Sequence, residues 1–273
     1  MKTIREATRG KLTLRLLETK TGYLGALIGA QAGRPATIDG TDAEDVWRRL
    51  EAEAGKSDRS YFGFDGARSR FLQFYPQGFA SPGYSRDERD YKLAARAKLL
   101  DVAPFEEALR ARGLGLAVFS VFSATNLLSL YEKTWVRNAF HGPASDDIVR
   151  AMARFAQDAS QETLIDLRRL LARHDCDKWT VVTYLPFLWR PDAHIFLKPE
   201  VTKDFSLRVG HPFHHTYQAR LEMPVYESLL DLAAQTRAAV HDLGPRDNID
   251  VQSFIWVVGA SHDPADATQA PPA

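Results

Sequence analysis

The stretch KWTVVTYLPFLW, residues 178 to 189, is apolar over almost its whole length and is the sequence feature that most constrains the fold. It stops at Arg190-Pro191-Asp192, and a short bridge then leads to Lys198-Pro199-Glu200. We predict a buried helix that ends at the first of these groups, and a second helix that begins at the other, because proline suits the first turn of a helix. The charged residues at this helix mouth either cap the helix or belong to a functional site.

The first part of the chain has the alternating pattern of β-strands. KLTLRLLET alternates apolar and polar residues, GYLGALIGA follows a turn-prone Thr-Gly, and RPATIDG closes the run, so residues 10 to 40 predict strands. Thr41 and Glu44 have the spacing of a capping box, which predicts a helix to about Ala54. The segment from 61 to 84 is rich in aromatic residues, Gly and Pro, and we predict strand and loop that continue the sheet.

From Arg86 onward the pattern is helical, with Pro and Gly between the segments. We predict an α+β chain, with a small N-terminal antiparallel β domain over residues 1–85, a larger all-helical domain over 86–259 and a disordered tail over 260–273. The predicted helices are 86–101, 104–112, 116–140, 145–157, 160–174, 178–189, 199–209, 222–242 and 247–258.

Composition restricts the class of protein. Hydrophobic residues make up 45% and charged residues 26%, which is ordinary for a globular protein, and the formal charge of zero gives no support for nucleic-acid binding except through a local patch. The single Cys176 excludes a disulfide framework and suits a reducing compartment. The apolar run 114–130 is interrupted by polar residues and predicts a core helix. We therefore expect a soluble cytoplasmic protein that does not span a membrane.

Three polar or aromatic residues stand out in apolar surroundings. The run FSVFSATNLLSLYEKTWVRNAFHG, 119 to 142, predicts a long amphipathic helix in which Asn126 needs either a hydrogen-bond partner or a functional surface. Gln252 and Trp256 are four residues apart and so share one helix face. They are either core residues or a pair that contacts a nucleobase, the amide on its polar edge and the indole on its face.

Two further clusters indicate no chemistry. His211, His214 and His215 have no carboxylate at the spacing of a helical metal site, so we predict a surface loop and no metal. Cys176 lies close to His174, but this spacing does not constrain geometry, and we predict an inert thiol.

Three segments, in this order, resemble the helix-hairpin-helix DNA glycosylases, most closely the 8-oxoguanine and alkylation-repair branch. These are FSVFSATN with EKTWVRNAFHG, KWTVVTYL with RPDAHIF, and DVQSFIWVV, and together they cover about residues 115 to 258. The N-terminal strands are similar to the small β domain of that branch. The resemblance implies a monomer that acts on double-stranded DNA without a cofactor or metal.

The resemblance also implies roles for individual residues. Asn126 matches the side chain that fills the gap left by a flipped nucleotide, while Gln252 and Trp256 match the groups that contact the extruded base. Trp179 matches the place of a nucleophilic lysine in lyase members and of a tryptophan in alkylation-repair members, which favours hydrolysis. We expect phosphate contacts from basic residues around the cleft, for which the candidates are Arg137, Lys178, Lys198 and Lys203.

Two departures concern catalysis. The hairpin stretch ARHDCDK lacks the glycines of the family pattern, and the position of the essential aspartate is Lys198. Glu200, in the first turn of the same helix, is a candidate to stabilise a sugar cation, and Lys198 or Lys178 is a candidate amine nucleophile.

The predicted function is a DNA glycosylase that flips a modified base out of duplex DNA and cleaves its glycosidic bond to leave an abasic site, in defence against modified phage DNA. The alternatives are a non-catalytic protein that binds modified bases and a helical interaction protein. The last alternative predicts that Asn126, Gln252 and Trp256 all point into closed packing.

Overall fold

The computed structural model describes residues 1–9, 12–29, 36–56 and 63–259. It begins with a four-stranded antiparallel sheet in the order β1-β2-β3-β4, and helices follow, so the α+β prediction is confirmed. The tail from residue 260 lies outside the described residues. The strands are β1 Lys2–Arg9, β2 Leu12–Glu18, β3 Tyr23–Ile28 and β4 Ala36–Gly40.

The sheet packs one face against the first helix, α1, Ala43–Lys56. Alternate residues of β2, including Leu14 and Leu16, are buried against Val46 and its neighbours on α1, as the alternation predicts. Gly40 permits this close packing, because a Cβ there would lie 2.7 Å from Cγ2 of Val46. The helix cap is formed one residue later than predicted, since Asp42 Oδ1 accepts a hydrogen bond from the Asp45 amide at 2.7 Å.

Thirteen further helices follow in the described part of the chain. A π-helical segment, Ser85–Arg89, lies between α3 and α4, and a 3₁₀ turn, Ala172–His174, lies between α9 and α10. The helices are α2 Gly63–Phe74, α3 Pro82–Tyr84, α4 Asp90–Val102, α5 Phe105–Ala108, α6 Gly115–Phe122, α7 Leu130–Phe140, α8 Ser145–Gln157, α9 Gln161–Leu171, α10 Trp179–Trp189, α11 Pro199–Val209, α12 Phe213–Thr216, α13 Met223–Ala239 and α14 Asn248–Gly259.

The prediction of strand and loop for residues 61–84 is wrong over most of its length. Residues 61 and 62 lie outside the described residues, but α2 occupies the first half of the remainder. Its buried residues Gly63, Ala67 and Phe71 are spaced by four, which is a helical period hidden among the aromatic residues and glycines. β1 was not predicted, and it pairs with β2 through its whole length.

The prediction of one helix over residues 116–140 is also wrong. The chain leaves the helix after Phe122 and starts α7 at Leu130. Ser129 and Glu132 form a complete capping box, in which Ser129 Oγ accepts from the Glu132 amide and Glu132 accepts from the Ser129 amide. The hydroxyl and amide side chains of SATN also offer the backbone local partners that compete with helix formation.

The main core surrounds α10, every residue of which is buried, as predicted from its continuous apolar sequence. The described residues form two separate hydrophobic clusters, one under the sheet and α1, the other among the helices from Ala67 onward. Residues of α2 therefore pack with the helices, while the boundary at residue 85 remains a prediction. Among the described residues, no helix has the length and apolar character that a bilayer crossing requires.

Candidate functional site

The loop between α6 and α7 is held at two backbone carbonyls by lysines. Lys133 Nζ donates to Thr125 O at 2.6 Å, and Lys198 Nζ donates to Leu127 O at 2.9 Å. Between these two positions, Asn126 is exposed. The loop therefore presents one amide side chain to solvent from a backbone that is fixed on both sides.

Tyr184, a buried residue of α10, forms hydrogen bonds with this loop. The Tyr184 hydroxyl pairs with Thr125 Oγ1 at 2.9 Å and donates to Val121 O at 2.9 Å. Burial raises the pKa of Tyr184, so the hydroxyl stays protonated and remains a donor. The loop is thus tied to α6, α10 and the start of α11 at once.

Glu132 places a carboxylate within electrostatic reach of Lys198, although the two groups form no ion pair in the described part of the chain. Its oxygens accept from the Ser129 amide at 2.7 Å and from the Thr180 hydroxyl. Burial acts to raise the pKa of Glu132. These hydrogen bonds and the charge of Lys198 lower the pKa by more, so the net pKa lies below its usual value. Glu132 is therefore ionised at neutral pH in a half-buried position at the mouth of α11.

Lys198 is the N-cap residue of α11 and has an extended backbone, with Pro199 in the first turn. The Leu197 amide donates to Thr183 Oγ1 at 3.0 Å, which fixes the approach of this helix to α10. Because the N-terminus of a helix carries partial positive charge, Lys198 adds to a region that attracts anions. The mouth of α11 thus combines an amine, a carboxylate and a positive helix end.

Gln252 carries a buried polar atom that the protein does not satisfy. Its side chain is 4% exposed, and among the described residues Oε1 has no hydrogen-bond partner. One turn earlier on α14, Asn248 Nδ2 donates to His194 O at 3.2 Å. Two turns later on α14, a Cβ at Gly259 would lie 2.9 Å from Val201 O. Gln252 lies between these positions on the same side of α14, so its amide faces the segment that leads into α11. A buried polar atom without a partner costs about 1–3 kcal/mol, and it is where a ligand group is expected.

The two tryptophans of the predicted base pocket differ in exposure. Trp256 is partly buried and packs against the main core. Trp179 is 2% exposed, its Nε1 donates to Gln218 O at 2.9 Å, and its ring stacks on Tyr226 with a centroid distance of 6.1 Å. Trp179 is thus fully engaged by the core in this structure.

The remaining predicted residues lie at the surface. The side chain of Glu200 is 84% exposed and pairs with Lys203 at 2.8 Å. Lys178 is half exposed with Asp177 4.0 Å away, and Arg137 is exposed on α7. The structure therefore joins Lys198 to the loop that carries Asn126, whereas Glu200 and Lys203 form a separate surface pair.

Sequence reasoning did not single out Glu132, Lys133, Thr180 or Tyr184. A signal for Glu132 was present, because Ser129 and Glu132 have the capping-box spacing that was used at residue 41. Nothing in the sequence brings Thr180 or Tyr184 to this loop, since these contacts join residues 48 and 59 positions apart.

The histidine and cysteine clusters offer no metal site in the described ranges. The surface-loop prediction is wrong: His211 is 2% exposed and hydrogen-bonded to Asp231 Oδ2 at 3.0 Å, and His214 and His215 are partly buried on the helix α12. Cys176 is buried, and its burial, together with neighbouring carboxylates, raises the pKa of the thiol to about 12. Both features agree with an inert cysteine, which stays a prediction.

The protein has an α+β fold, and its polar candidate site lies at the mouth of α11. Comparison with protein-family models, with curated proteins and with solved structures finds no match to this chain. The resemblance to the DNA glycosylases therefore stays a prediction, and the function rests on the geometry of the site.

Proposed function

We propose that this protein is a DNA glycosylase that takes a modified base out of duplex DNA and hydrolyses its N-glycosidic bond. The observation that carries the proposal is the contact between Lys198 and Leu127 O, which joins the mouth of α11 to the loop that presents Asn126. Gln252, whose buried Oε1 has no hydrogen-bond partner among the described residues, faces the segment that leads into α11. This arrangement supports two roles: the Gln252 amide contacts the edge of the extruded base, and the Asn126 amide enters the duplex.

The surface beside the loop supports contact with nucleic acid. Leu130 and Tyr131 open α7 and are 81% and 80% exposed, which is unusual for large apolar side chains. Lys133 and Arg137 follow on the same helix. Exposed apolar and aromatic groups next to cations suit unstacked bases flanked by phosphates.

The chemistry proposed for the site uses Glu132 and not Glu200 as the carboxylate. As the C1′–N bond breaks, its electron pair leaves with the base and positive charge develops on the sugar. An ionised, half-buried carboxylate stabilises that charge more than an exposed one, because water screens the latter. A water molecule then bonds to C1′ and passes a proton to the departed base, which leaves an abasic site and the neutral base.

The amine alternative remains part of the proposal. In this route the neutral Nζ of Lys198 bonds to C1′ as the C1′–N bond breaks and its electron pair leaves with the base, and the sugar ring then opens to an imine that borohydride reduces to a stable adduct. Lys178, which begins α10, is the other amine named by the sequence. A cytoplasmic monomer without a cofactor or metal, acting on modified bases of foreign DNA, completes the proposal. The single cysteine in the sequence supports the compartment.

A non-catalytic reader of modified bases is the second candidate. Two observations favour it: the Lys198 amine already donates to a backbone carbonyl, and the Glu200 carboxylate is exposed and paired. The alternative of a helical interaction protein predicts closed packing for Asn126 as well as for Gln252 and Trp256. Asn126 is exposed, which does not agree with that alternative.

The test is an assay of base release. The protein is incubated with duplex oligonucleotides that carry single modified bases and with modified phage DNAs, and free bases and alkali-labile sites are measured. Release of a base supports the glycosylase. Tight binding of a modified duplex without release supports the reader, and neither binding nor release on any substrate contradicts both.

A further inference from the structure

A concave surface lies between α8 and α9. It is a groove of about 500 Å³ whose lining includes four arginines and two aspartates: Arg150, Arg154, Arg169, Arg173, Asp147 and Asp166. The net charge of these six side chains is positive. In a chain whose formal charge is zero, this is a local basic patch.

The arginines of the groove remain available to an anion. Arg169 is 72% exposed and lies 3.5 Å from Asp166, a surface pair that contributes little. Arg154 and Arg173 form no ion pair within the ranges that the structure describes. Only Arg150 is engaged more fully, by Asp147 and by Ala111 O. Guanidinium groups in this setting suit phosphate oxygens, which they bind in a bidentate manner.

The groove connects with the candidate site through α7. This helix begins at the loop that carries Asn126, and its 11 residues span about 16 Å. Beyond its C-terminal end, a Cβ at Gly142 would lie 3.7 Å from Cε1 of His174, which is next to Arg173. The groove is therefore reached from the site along one helix and one turn.

We propose that the α8–α9 groove binds the phosphodiester backbone of the DNA duplex beyond the excised base. This inference rests on the proposed function and names a part of the partner that the excision site does not contact. The residues that line the groove include no aromatic ring, so a free nucleotide would have nothing on which to stack its base. A backbone that needs only charge and hydrogen-bond donors fits better.

The experiment measures how salt weakens binding to a 30-base-pair unmodified duplex. The slope of log K against log salt reports the number of phosphates neutralised, at about 0.9 per contact. The double variant Arg154→Gln/Arg173→Gln is expected to reduce the magnitude of the slope by about 1.8. The control is Arg86→Gln/Arg220→Gln, at two exposed arginines outside both sites, which is expected to leave the slope unchanged.

The outcomes separate this inference from the proposed function. If the unchanged protein binds the duplex and both double variants keep its slope, the groove is not a backbone site, while the proposed function stands. If the unchanged protein binds neither this duplex nor one with a modified base, the proposed function fails and the inference with it. Calorimetric binding of ATP that is lost in Arg154→Gln/Arg173→Gln, with an unchanged slope on DNA, assigns the groove to a free nucleotide and overturns the inference.

Discussion

Glu132 and Lys198 show how single side chains acquire a setting that their sequence positions do not reveal. Glu132 completes a capping box at the start of α7, and Lys198 is the N-cap of α11. The local sequence therefore indicates only helix-terminal roles for both residues. In the folded protein, burial acts to raise the pKa of the Glu132 carboxyl group, and the hydrogen bonds from Thr180 and Ser129, with a smaller contribution from the charge of Lys198, lower it by more. A local capping role and a role in a site are therefore not alternatives for Glu132.

Substitution of Glu132 by Gln is expected to reduce the rate of base release about a hundredfold, because an electrostatic contribution of about 3 kcal/mol is lost. Single-turnover assays on the substrate found in the release experiment measure this effect. Glu200→Gln, which removes an exposed carboxylate, is the matched comparison. A large loss with Glu200→Gln and none with Glu132→Gln would return the catalytic role to the residue that the sequence predicts.

The capping role of Glu132 is tested separately through its partner. Ser129→Ala removes the hydroxyl that accepts from the Glu132 amide and is expected to cost about 1 kcal/mol in the free energy of unfolding. Because the carboxylate remains, base release at a temperature well below unfolding should persist. Loss of activity equal to that of Glu132→Gln would show that only helix capping matters.

His194 predicts a pH dependence of stability. Burial lowers the pKa of His194, Arg190 lowers it further, and the hydrogen bond to Ala156 O only partly opposes this. The unfolded chain, with a His pKa of about 6.5, takes up a proton before the folded protein does. The free energy of unfolding should therefore decrease as the pH falls below about 6.5, until the folded pKa is reached. Urea unfolding at several pH values measures this, and His194→Gln should flatten the dependence over that range.

At the scale of elements, the loop between α6 and α7 owes its conformation to neighbours on other helices. Lysines hold its carbonyls at Thr125 and Leu127, and Tyr184 holds it from below. A loop without these contacts would present Asn126 in many orientations, and ordering it on binding would cost affinity. The contacts fix the loop before any ligand arrives.

Tyr184→Phe is expected to loosen this loop without disturbing the packing of the ring. It removes two hydrogen bonds from a buried position and should cost about 1–3 kcal/mol, because polar partners are left unsatisfied. Hydrogen exchange of the backbone amides from 125 to 128 should become faster. The control is Tyr217→Phe, whose hydroxyl has no hydrogen bond in the part of the chain that is described. Equal protection of the loop in both variants would mean that the lysines alone hold it.

For the whole molecule, a buried ionic network connects α14 to the beginning of the helical core. Arg89, at the end of the π-helical segment, contacts Asp247 at 2.8 Å and Asp250 at 2.7 Å. Asp250 also accepts from Tyr84 at 2.5 Å and from Arg246 at 2.8 Å. Burial acts to raise the pKa of Asp250, but these donors lower it by more, so that the carboxylate is charged. The network fixes α14, and with it Gln252, relative to α4.

Asp250→Asn is expected to destabilise the protein by about 3–5 kcal/mol, because it leaves the buried charge of Arg89 only partly compensated. Chemical denaturation measures the free energy of unfolding. Asp242→Asn, which breaks an exposed pair with Arg68, should cost less than about 1 kcal/mol. Similar small losses in both variants would show that Asp247 alone balances Arg89.

The sequence by itself determined the type of most elements, since local periodicity and caps act over a few residues. It predicted β2, β3 and β4, the complete burial of α10, and helix starts within one residue at α8, α10 and α11. It failed where local signals conflict, as at α2, whose helical period is obscured by aromatic residues and glycines, and at the break after Phe122.

Only the tertiary structure decided the site. The contact of Lys198 with Leu127 O spans 71 positions in the chain, and that of Thr180 with Glu132 spans 48. Whether Trp179 faces a cleft or a core, and whether the amide of Gln252 finds a partner, likewise depends on how α13 and α14 pack against the helices before them. Hydrophobic burial drives this packing without direction, so local sequence fixes which residues are buried but not which of them meet.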